Sequence, residues 1–524
     1  MVVGEVASST EVLVIGGGPG GYTAALRAAG RGKRVTLVEA DRVGGVCLNV
    51  GCIPSKALIH AAAIAGLRED ARVAGVDLVA RPNMPRIRAR MEQAVARLTG
   101  AVERLLAGAG VERMRGRARF VRENRVAVVD GDQIRHVEFE EAIVATGSRP
   151  SALATLPFDG VRVLDSTALL RLERVPETLA VVGGGYIGVE LGTAFAKLGA
   201  EVTIVEALDR LLPQMEATLG RAVKRRLNEL GVRVLLEARA AELTEHGLVV
   251  SVGEGAGISD SGAPFPSAVR AGSGGDARPD SPRSAPARVG TGLPAQPPAD
   301  DGSSGAANGG ALEVAAEVVL VATGRVPNTD DLGLDVVGVR LDAAGRIVVD
   351  PSRRAARRIL AIGDVTAGPA LAHKAIAEAE VAAATAAGAR AAFDPAAIPQ
   401  IVFCDPEIAS VGMTREEAVA AAGKDVKSFR FPLGASGRAQ TLGPAVLGHV
   451  EIVADAESVV LGVHMAGPLV SELAGEAALA IEMGATLEDL ALTIHPHPTF
   501  SEALAESAWG ALGKPLHAGR IDRL

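Results

Sequence analysis

Cys47 and Cys52 stand five positions apart in the stretch Gly44–Lys56, GGVCLNVGCIPSK, and are two of the three cysteines in a chain of 524 residues. Two sulfurs this close can cycle between dithiol and disulfide, taking up or releasing two electrons. The nucleophile in such exchange is the thiolate, so the pair needs a group that manages protons. The stretch Thr493–Glu506, TIHPHPTFSEALAE, offers one, with Glu502 five residues after His497. A carboxylate on one imidazole nitrogen fixes the tautomer and makes the other nitrogen a better base. Other readings stay open on these residues alone. The two cysteines could be half of a zinc site or thiols without a task, and His495 and His497 could be turn residues beside prolines. A structural zinc site takes four ligands, whereas Cys404 stands alone and His60 falls in an Ala-rich run that reads as a packed helix. No metal is expected.

The elements around this chemistry repeat. EVLVIGGGPGGYTAALRAAGRGKRVTLVEAD reads as a strand over Val12–Ile15, a glycine turn, an Ala-rich helix and a second strand over Val35–Val38. TLAVVGGGYIGVELGTAFAKLGAEVTIVEALD repeats the plan, with Gly183, Gly185 and Gly188 in the places of Gly16, Gly18 and Gly21. An acid ends the second strand of each copy, Glu39 and Glu206, in both cases 23 residues after the first glycine. One such fingerprint is weak; two with matched spacing and matched acids point to two dinucleotide sites. The glycines permit a tight turn and close approach to a pyrophosphate at a helix N-terminus, and each acid can accept from ribose hydroxyls. An acid at Glu206 also repels a 2′-phosphate and favours NAD over NADP. Each copy leads to a strand ending in Ala-Thr-Gly, within EEAIVATGSRP (Glu140–Pro150) and AEVVLVATGRVPN (Ala316–Asn328). Two such sites suit a flavin and a nicotinamide, with the dithiol passing electrons in step with the flavin.

Between Glu254 and Gly310 the sequence turns to Gly, Ser, Pro and Ala without apolar period, which is the composition of a disordered surface insertion. A strand over Ile359–Ile362 then ends in Gly363-Asp364 before a long Ala-rich helix, and from Asp394 the pattern is strand-rich and then helical, as in a separate α+β domain.

Bulk properties agree with an enzyme of several domains. At ~150 residues per domain the length allows three or four. Apolar residues make up 48% and aromatics only 2%, so the cores must be built from Ala, Val, Leu and Ile, as in parallel strands packed by helices. The net charge of −8 and the lack of a basic stripe speak against nucleic acid as a partner. Three cysteines make no secreted disulfide framework. No run of ~18 apolar residues predicts a membrane span, and MVVGEVASST lacks the plan of a signal peptide. A cytoplasmic protein is expected.

GGVCLNVGCIPSK, GGGYIGVELG, AIGDVTAGPALAHKA, VFCDPEIASVGMT and HPHPTFSE together resemble the pyridine nucleotide–disulfide oxidoreductases, most closely their dihydrolipoamide-oxidising branch. The likeness spans nearly the whole chain outside the insertion. It implies an α/β fold of two Rossmann-like domains, FAD-binding over 1–150 and NAD-binding over 151–330. A segment over 331–393 would complete the FAD site, and an α+β dimerisation domain would occupy 394–524. It implies FAD and NAD as cofactors, a homodimer, and the lipoyl domains of a 2-oxo acid dehydrogenase or glycine cleavage complex as partners. Cys47 would exchange with the lipoyl dithiol and Cys52 would face the flavin as a charge-transfer thiolate. Lys56 would lie near the flavin and pair with Glu190. His497, oriented by Glu502, would be the general base, acting on the cysteines of the other subunit. Asp364 would bind the ribityl chain, and Ala118, Thr146, Gly147, Ser148, Leu371, Ala372 and His373 would line the FAD site. Gly324 would lie beside NAD.

Siblings with the same electron path fit less well. A glutathione reductase wants basic residues where VEALDR opens with Glu206, a mercuric reductase wants a cysteine pair after Cys404, and a soluble transhydrogenase lacks the Cys pair. A non-catalytic FAD-bound scaffold would have no use for Cys47, Cys52 and His497. Three departures from the family pattern stand out. The insertion is extra, Cys404 replaces the more familiar threonine and is expected to be a small buried thiol, and no lipoyl-like stretch precedes Thr10, so the lipoyl group is expected to come from another protein.

Overall fold

The computed structural model describes residues 7–252 and 311–518, except 424, 444, 445 and 447. The insertion expected over 254–310 lies outside the described residues.

The two glycine fingerprints belong to two parallel sheets of the same plan. The first runs Glu112–Arg115, Val35–Glu39, Ser8–Ile15, Gln133–Val144, Ile359–Ala361, and the second Arg233–Leu235, Glu201–Val205, Thr178–Val182, Val318–Val321, Val163–Leu164. Their central strands are apolar on both faces, and Val12, Leu13, Val14, Leu179, Ala180 and Val181 are fully buried. That is what a parallel sheet covered on both sides requires. The outer strand of each sheet comes from beyond its own repeat. Ile359–Ala361, from after the second unit, pairs with Gln133–Val144, so the segment after residue 331 returns to the first sheet.

The helices Pro19–Ala29 and Ala372–Ala386 cover one face of the first sheet together. Ala24, Ala25 and Ala28 on the first, and Ala379, Ala382 and Ala383 on the second, are fully buried. Small side chains let the two backbones approach where larger ones would hold them apart. The other face carries an antiparallel meander of Arg117–Arg122, Arg125–Asp130 and the start of Gln133–Val144. The second unit has its counterpart in Ala238–Leu243, Gly247–Val252 and Ala311–Ala315.

The C-terminal unit is an antiparallel sheet in the order Gln400–Val402, Glu407–Gly412, Val460–Gly467, His449–Ala454, Lys427–Pro432. Helices Val470–Glu482 and Glu502–Ala511 pack on it around Val450, Ile452, Met465 and Leu504. Gly45–Gly66 is long and apolar enough to cross a membrane by length and composition. It is nonetheless broken at Gly51, with φ −128° and ψ −108°, into helices Gly45–Val50 and Cys52–Gly66. The second of these packs against Met84–Gly108 and Tyr186–Leu198 through Leu58, Ala62 and Ala65 on its buried face.

Candidate active site

Each glycine of the fingerprints has its own cause. Gly16 and Gly183 have φ of +102° and +111°, and a Cβ on either would lie 2.4 Å and 2.6 Å from the carbonyl oxygens of Ala145 and Ala322. Those alanines open the two Ala-Thr-Gly turns, so fingerprint and turn are two sides of one close contact. A Cβ on Gly21 or Gly188 would lie 1.8 Å or 1.9 Å from the carbonyl of Gly16 or Gly183, which sets how near helix and strand can run. Gly18 and Gly185 meet nothing closer than 4.0 Å. They cap helices Pro19–Ala29 and Tyr186–Leu198, and a side chain there would fill the space in which a pyrophosphate meets the helix amides. Both sites thus fit a dinucleotide by shape.

The acids ending the second strands each hold two backbone amides. Glu39 accepts the N–H groups of Gly17 at 2.6 Å and Asp41 at 2.8 Å. Glu206 accepts those of Gly184 at 2.6 Å and Leu208 at 2.8 Å. Each carboxylate locks its own glycine turn, with lone pairs remaining for hydroxyl donors.

A cleft of about 890 Å³ runs from the first glycine turn to the cysteines. Gly16, Gly18, Glu39 and Ala118 line it, as do Thr146, Gly147, Ser148 and Asp364, and Cys47, Cys52, Lys56 and Glu190. Ala372 reaches the cleft, whereas Leu371 and His373 do not line it. Leu371 caps the helix Ala372–Ala386, and the His373 ring bonds the Pro399 carbonyl at 2.8 Å. Gly183, Gly185, Gly188, Glu206 and Gly324 belong to the second turn, outside this cleft.

The break at Gly51 separates the cysteines. Cys47 lies within Gly45–Val50, and Cys52 is the first residue of Cys52–Gly66, where the helix N-terminus favours a thiolate. Both thiols are free. The hydrogen bond from Cys47 draws the Cys52 thiol down to about 7; burial opposes this and the Lys56 charge adds to it. The same hydrogen bond, reinforced by burial, pushes the Cys47 thiol up. The two sulfurs are therefore unequal, and the thiolate is favoured at Cys52 over Cys47. Lys56 Nζ lies 2.8 Å from Glu190 Oε2, and Glu190 is buried. Cys404 is buried, donates to the Pro406 carbonyl at 3.1 Å, and has its thiol pushed up by burial.

His497 Nδ1 lies 2.8 Å from Glu502 Oε1, and Glu502 Oε2 accepts the Thr499 N–H at 2.8 Å. Burial works against ionisation of Glu502, but the Thr499 N–H and the His497 ring outweigh it and hold the carboxyl below its usual range. With Nδ1 on the carboxylate, the neutral ring presents the lone pair of Nε2. The His497 side chain is 76% exposed and does not line the cleft of its own chain. Acid–base pair and thiols are therefore apart within one protomer.

Several groups escaped the sequence reading. Ser148 Oγ donates to Asp364 at 2.5 Å, and Arg325 donates to Ser148 Oγ and to its carbonyl, each at 2.7 Å. Asn328 Nδ2 donates to the Thr146 carbonyl at 2.9 Å, while Thr146 Oγ1 donates to the Asn328 carbonyl at 2.7 Å. Arg325 follows the second Ala-Thr-Gly directly and Asn328 stands three residues further on, and that nearness was the available signal. The turn carrying Asp364 hangs on Glu378, which accepts the Gly363 N–H at 2.6 Å and pairs with Arg353 at 2.7 Å and Lys374 at 3.0 Å. Inside the run HKAIAEAE nothing marked Lys374 and Glu378 apart from other helical charges.

Comparison with known proteins bears on the whole chain. The family model described as pyridine nucleotide-disulphide oxidoreductase matches residues 10–259 and 296–379, and that of the family's dimerisation domain matches 398–508. A dihydrolipoyl dehydrogenase of Geobacillus stearothermophilus is 42% identical over 99% of both chains. Dihydrolipoyl dehydrogenase 2 of Haloarcula marismortui is 45% identical over 99% of this chain and 100% of its own. Among solved structures, LpdA from Mycobacterium tuberculosis superposes with a TM-score of 0.78 at 27% identity, covering 95% of this chain and 99% of that one. The flavoprotein disulfide reductase RclA from Escherichia coli shares the fold with a TM-score of 0.73 at 24% identity, covering 95% and 99%.

Proposed function

The chain belongs to the pyridine nucleotide-disulphide oxidoreductase family, and on that premise we propose that it is a dihydrolipoyl dehydrogenase, oxidising protein-bound dihydrolipoyl groups and reducing NAD⁺. The observation that carries the reading is the unequal pair Cys47 and Cys52 in the wall of a dinucleotide-sized cleft, with Cys52 at a helix N-terminus that favours its thiolate. The family's cofactors are FAD and NAD. The first glycine turn, Glu39, Ala118, the Thr146–Ser148 turn, Asp364 and Ala372 would hold FAD. Gly183, Gly185, Gly188, Glu206 and Gly324 would hold NAD, with the Glu206 carboxylate set against a 2′-phosphate. We read residues 1–150 as the FAD domain, 151–330 as the NAD domain, 331–393 as the return to the FAD site and 394–524 as the dimerisation domain.

In the oxidised state Cys47 and Cys52 form a disulfide. One lipoyl sulfur, deprotonated by His497, attacks Cys47 Sγ, and Cys52 leaves as a thiolate. Leaving is easier the lower the pKa of the departing thiol, which is what the helix N-terminus, Cys47 and Lys56 supply. Once His497 has passed that first proton to solvent, the second lipoyl thiol gives its own proton to the base and attacks the first lipoyl sulfur. That step closes the cyclic disulfide and releases Cys47, which takes a proton back from His497. The products are oxidised lipoamide, a Cys47 thiol and a Cys52 thiolate, the protonation pattern favoured by the hydrogen bond between them. Bound FAD supplies the path by which the two electrons of this dithiol reach NAD⁺.

The exposed His497–Glu502 pair would serve the cysteines of a second copy. The family's dimerisation domain in this chain supports that reading, as does the absence of His497 from the cleft of its own protomer. The lipoyl group would be delivered by a 2-oxo acid dehydrogenase or glycine cleavage complex, in the cytoplasm. The test is reduction of the FAD-loaded protein with two electrons from dihydrolipoamide. A long-wavelength absorbance from the Cys52 thiolate beside the flavin is expected; a spectrum that bleaches without that band would sink the proposal.

A further inference from the structure

Lys56 and Glu190 are each held a second time by one residue of the C-terminal unit. Glu190 gives Oε2 to Lys56 at 2.8 Å and takes the backbone N–H of Phe403 on Oε1 at 2.9 Å. The Lys56 ammonium in turn lies 4.8 Å from the centroid of the Phe403 ring. Phe403 itself is pinned through its neighbour. Asp405 pairs with Lys197 at 2.7 Å and Arg226 at 3.1 Å. Lys197 stands seven residues after Glu190 on the helix Tyr186–Leu198, two turns along the same face. The segment Phe403–Asp405 is thus clasped to that helix at two points, and the clasp places an aromatic face under the ammonium.

The consequence follows from the nature of lysine. Its charge sits on a flexible four-carbon stem and is strongly hydrated, and the Lys56 side chain keeps 33% of its surface exposed. Glu190 alone would fix the ammonium from one side and leave it free to swing into the cleft. A ring face on a second side attracts the cation and displaces water from it. We propose that Phe403 is a positioning residue for the thiol chemistry: its ring, held by the Asp405 clasp, keeps the Lys56 ammonium where it stabilises the Cys52 thiolate. This rests on the reading of Cys52 as the flavin-side thiolate. The groups that bear electrostatically on Cys52 are Cys47 from Gly45–Val50, Lys56 from its own helix, and Glu190 and Tyr186 from Tyr186–Leu198. Phe403 is uncharged, so replacing it changes the placement of these charges and not their number.

The experiment follows the long-wavelength absorbance of the two-electron-reduced, FAD-loaded protein against pH, in the wild type, Phe403→Leu and Phe403→Tyr, with Phe403→Met as a second ring-free variant. Phe403 is half-buried, so these swaps spare most of the packing. The band is expected to fade on acidification in every protein. In Phe403→Leu and Phe403→Met its midpoint should rise by about half a pH unit, roughly a threefold loss of thiolate on the acid side, while Phe403→Tyr keeps the wild-type midpoint. A ring-free variant that titrates like the wild type overturns the proposal, and so does a tyrosine variant shifted as far as leucine. No band in any protein, the wild type included, overturns the underlying reading of Cys52 instead and takes this inference with it.

Discussion

Glu378→Gln separates a buried charge network from ordinary surface pairing. Glu378 is fully buried, and its partners Arg353 and Lys374 are 11% and 2% exposed. The substitution keeps the shape and one acceptor but leaves two buried cations facing a neutral group. Removing one partner of a buried pair costs ~3–5 kcal/mol, because the remaining charge is stranded away from water. The same helix carries its own control two residues on. Glu380 pairs with Arg27 at 2.8 Å and with Arg31, but its side chain is 47% exposed, so Glu380→Gln should change stability by less than ~1 kcal/mol. A chain of several units does not unfold in two states, so the readout is the thermal transition that releases FAD. At ~2–4 °C per kcal/mol, Glu378→Gln should lower it by on the order of 10 °C. FAD affinity should fall with it, because the Gly363–Asp364 turn hangs on this carboxylate. If Glu378→Gln and Glu380→Gln shift the transition equally, the network is not what holds the turn.

Three further outcomes are expected. His497→Gln should slow dihydrolipoamide oxidation by ~10²–10⁴-fold with FAD content unchanged; steady-state rates near the wild type would refute its role as base. Co-expressed Cys47→Ser and His497→Gln chains should recover about a quarter of the wild-type rate, since half of randomly paired symmetric dimers carry one intact site. No recovery would place base and thiols in one protomer. Ser251 pairs with Ala311 across the antiparallel strands Gly247–Val252 and Ala311–Ala315, so replacing residues 253–310 by two residues should close a hairpin whose three-residue loop begins at Val252. FAD content and thermal transition should stay as they were, and loss of either would show that the replaced segment supports the fold.

What the sequence made legible was what depends on local spacing. Matched glycines and acids betray two copies of one unit because turn, helix N-terminus and strand end lie within thirty residues of each other. The cysteine stretch and the His497–Glu502 spacing are likewise local. The resemblance implied a return of 331–393 to the FAD site, but the strand that makes it was hidden: Ile359–Ala361 lies more than two hundred residues from its neighbour Gln133–Val144, and a short apolar run does not announce its partner. Hidden for the same reason were the clasp of Phe403 and Asp405 on Glu190 and Lys197, and the bond from Arg325 to Ser148. The spacing of the acids Glu39 and Glu206 points to ribose. That they also brace the glycine turns follows only from where the amides of Gly17 and Gly184 point.

The most direct test of the proposed activity is NADH formation by the FAD-loaded protein, followed by its absorbance, with dihydrolipoamide and NAD⁺ against parallel reactions containing reduced glutathione or NADP⁺. Dihydrolipoamide with NAD⁺ should give sustained turnover that Cys47→Ser abolishes, and the other combinations should give little. Turnover that survives Cys47→Ser, or a preference for glutathione or NADP⁺, would contradict the account.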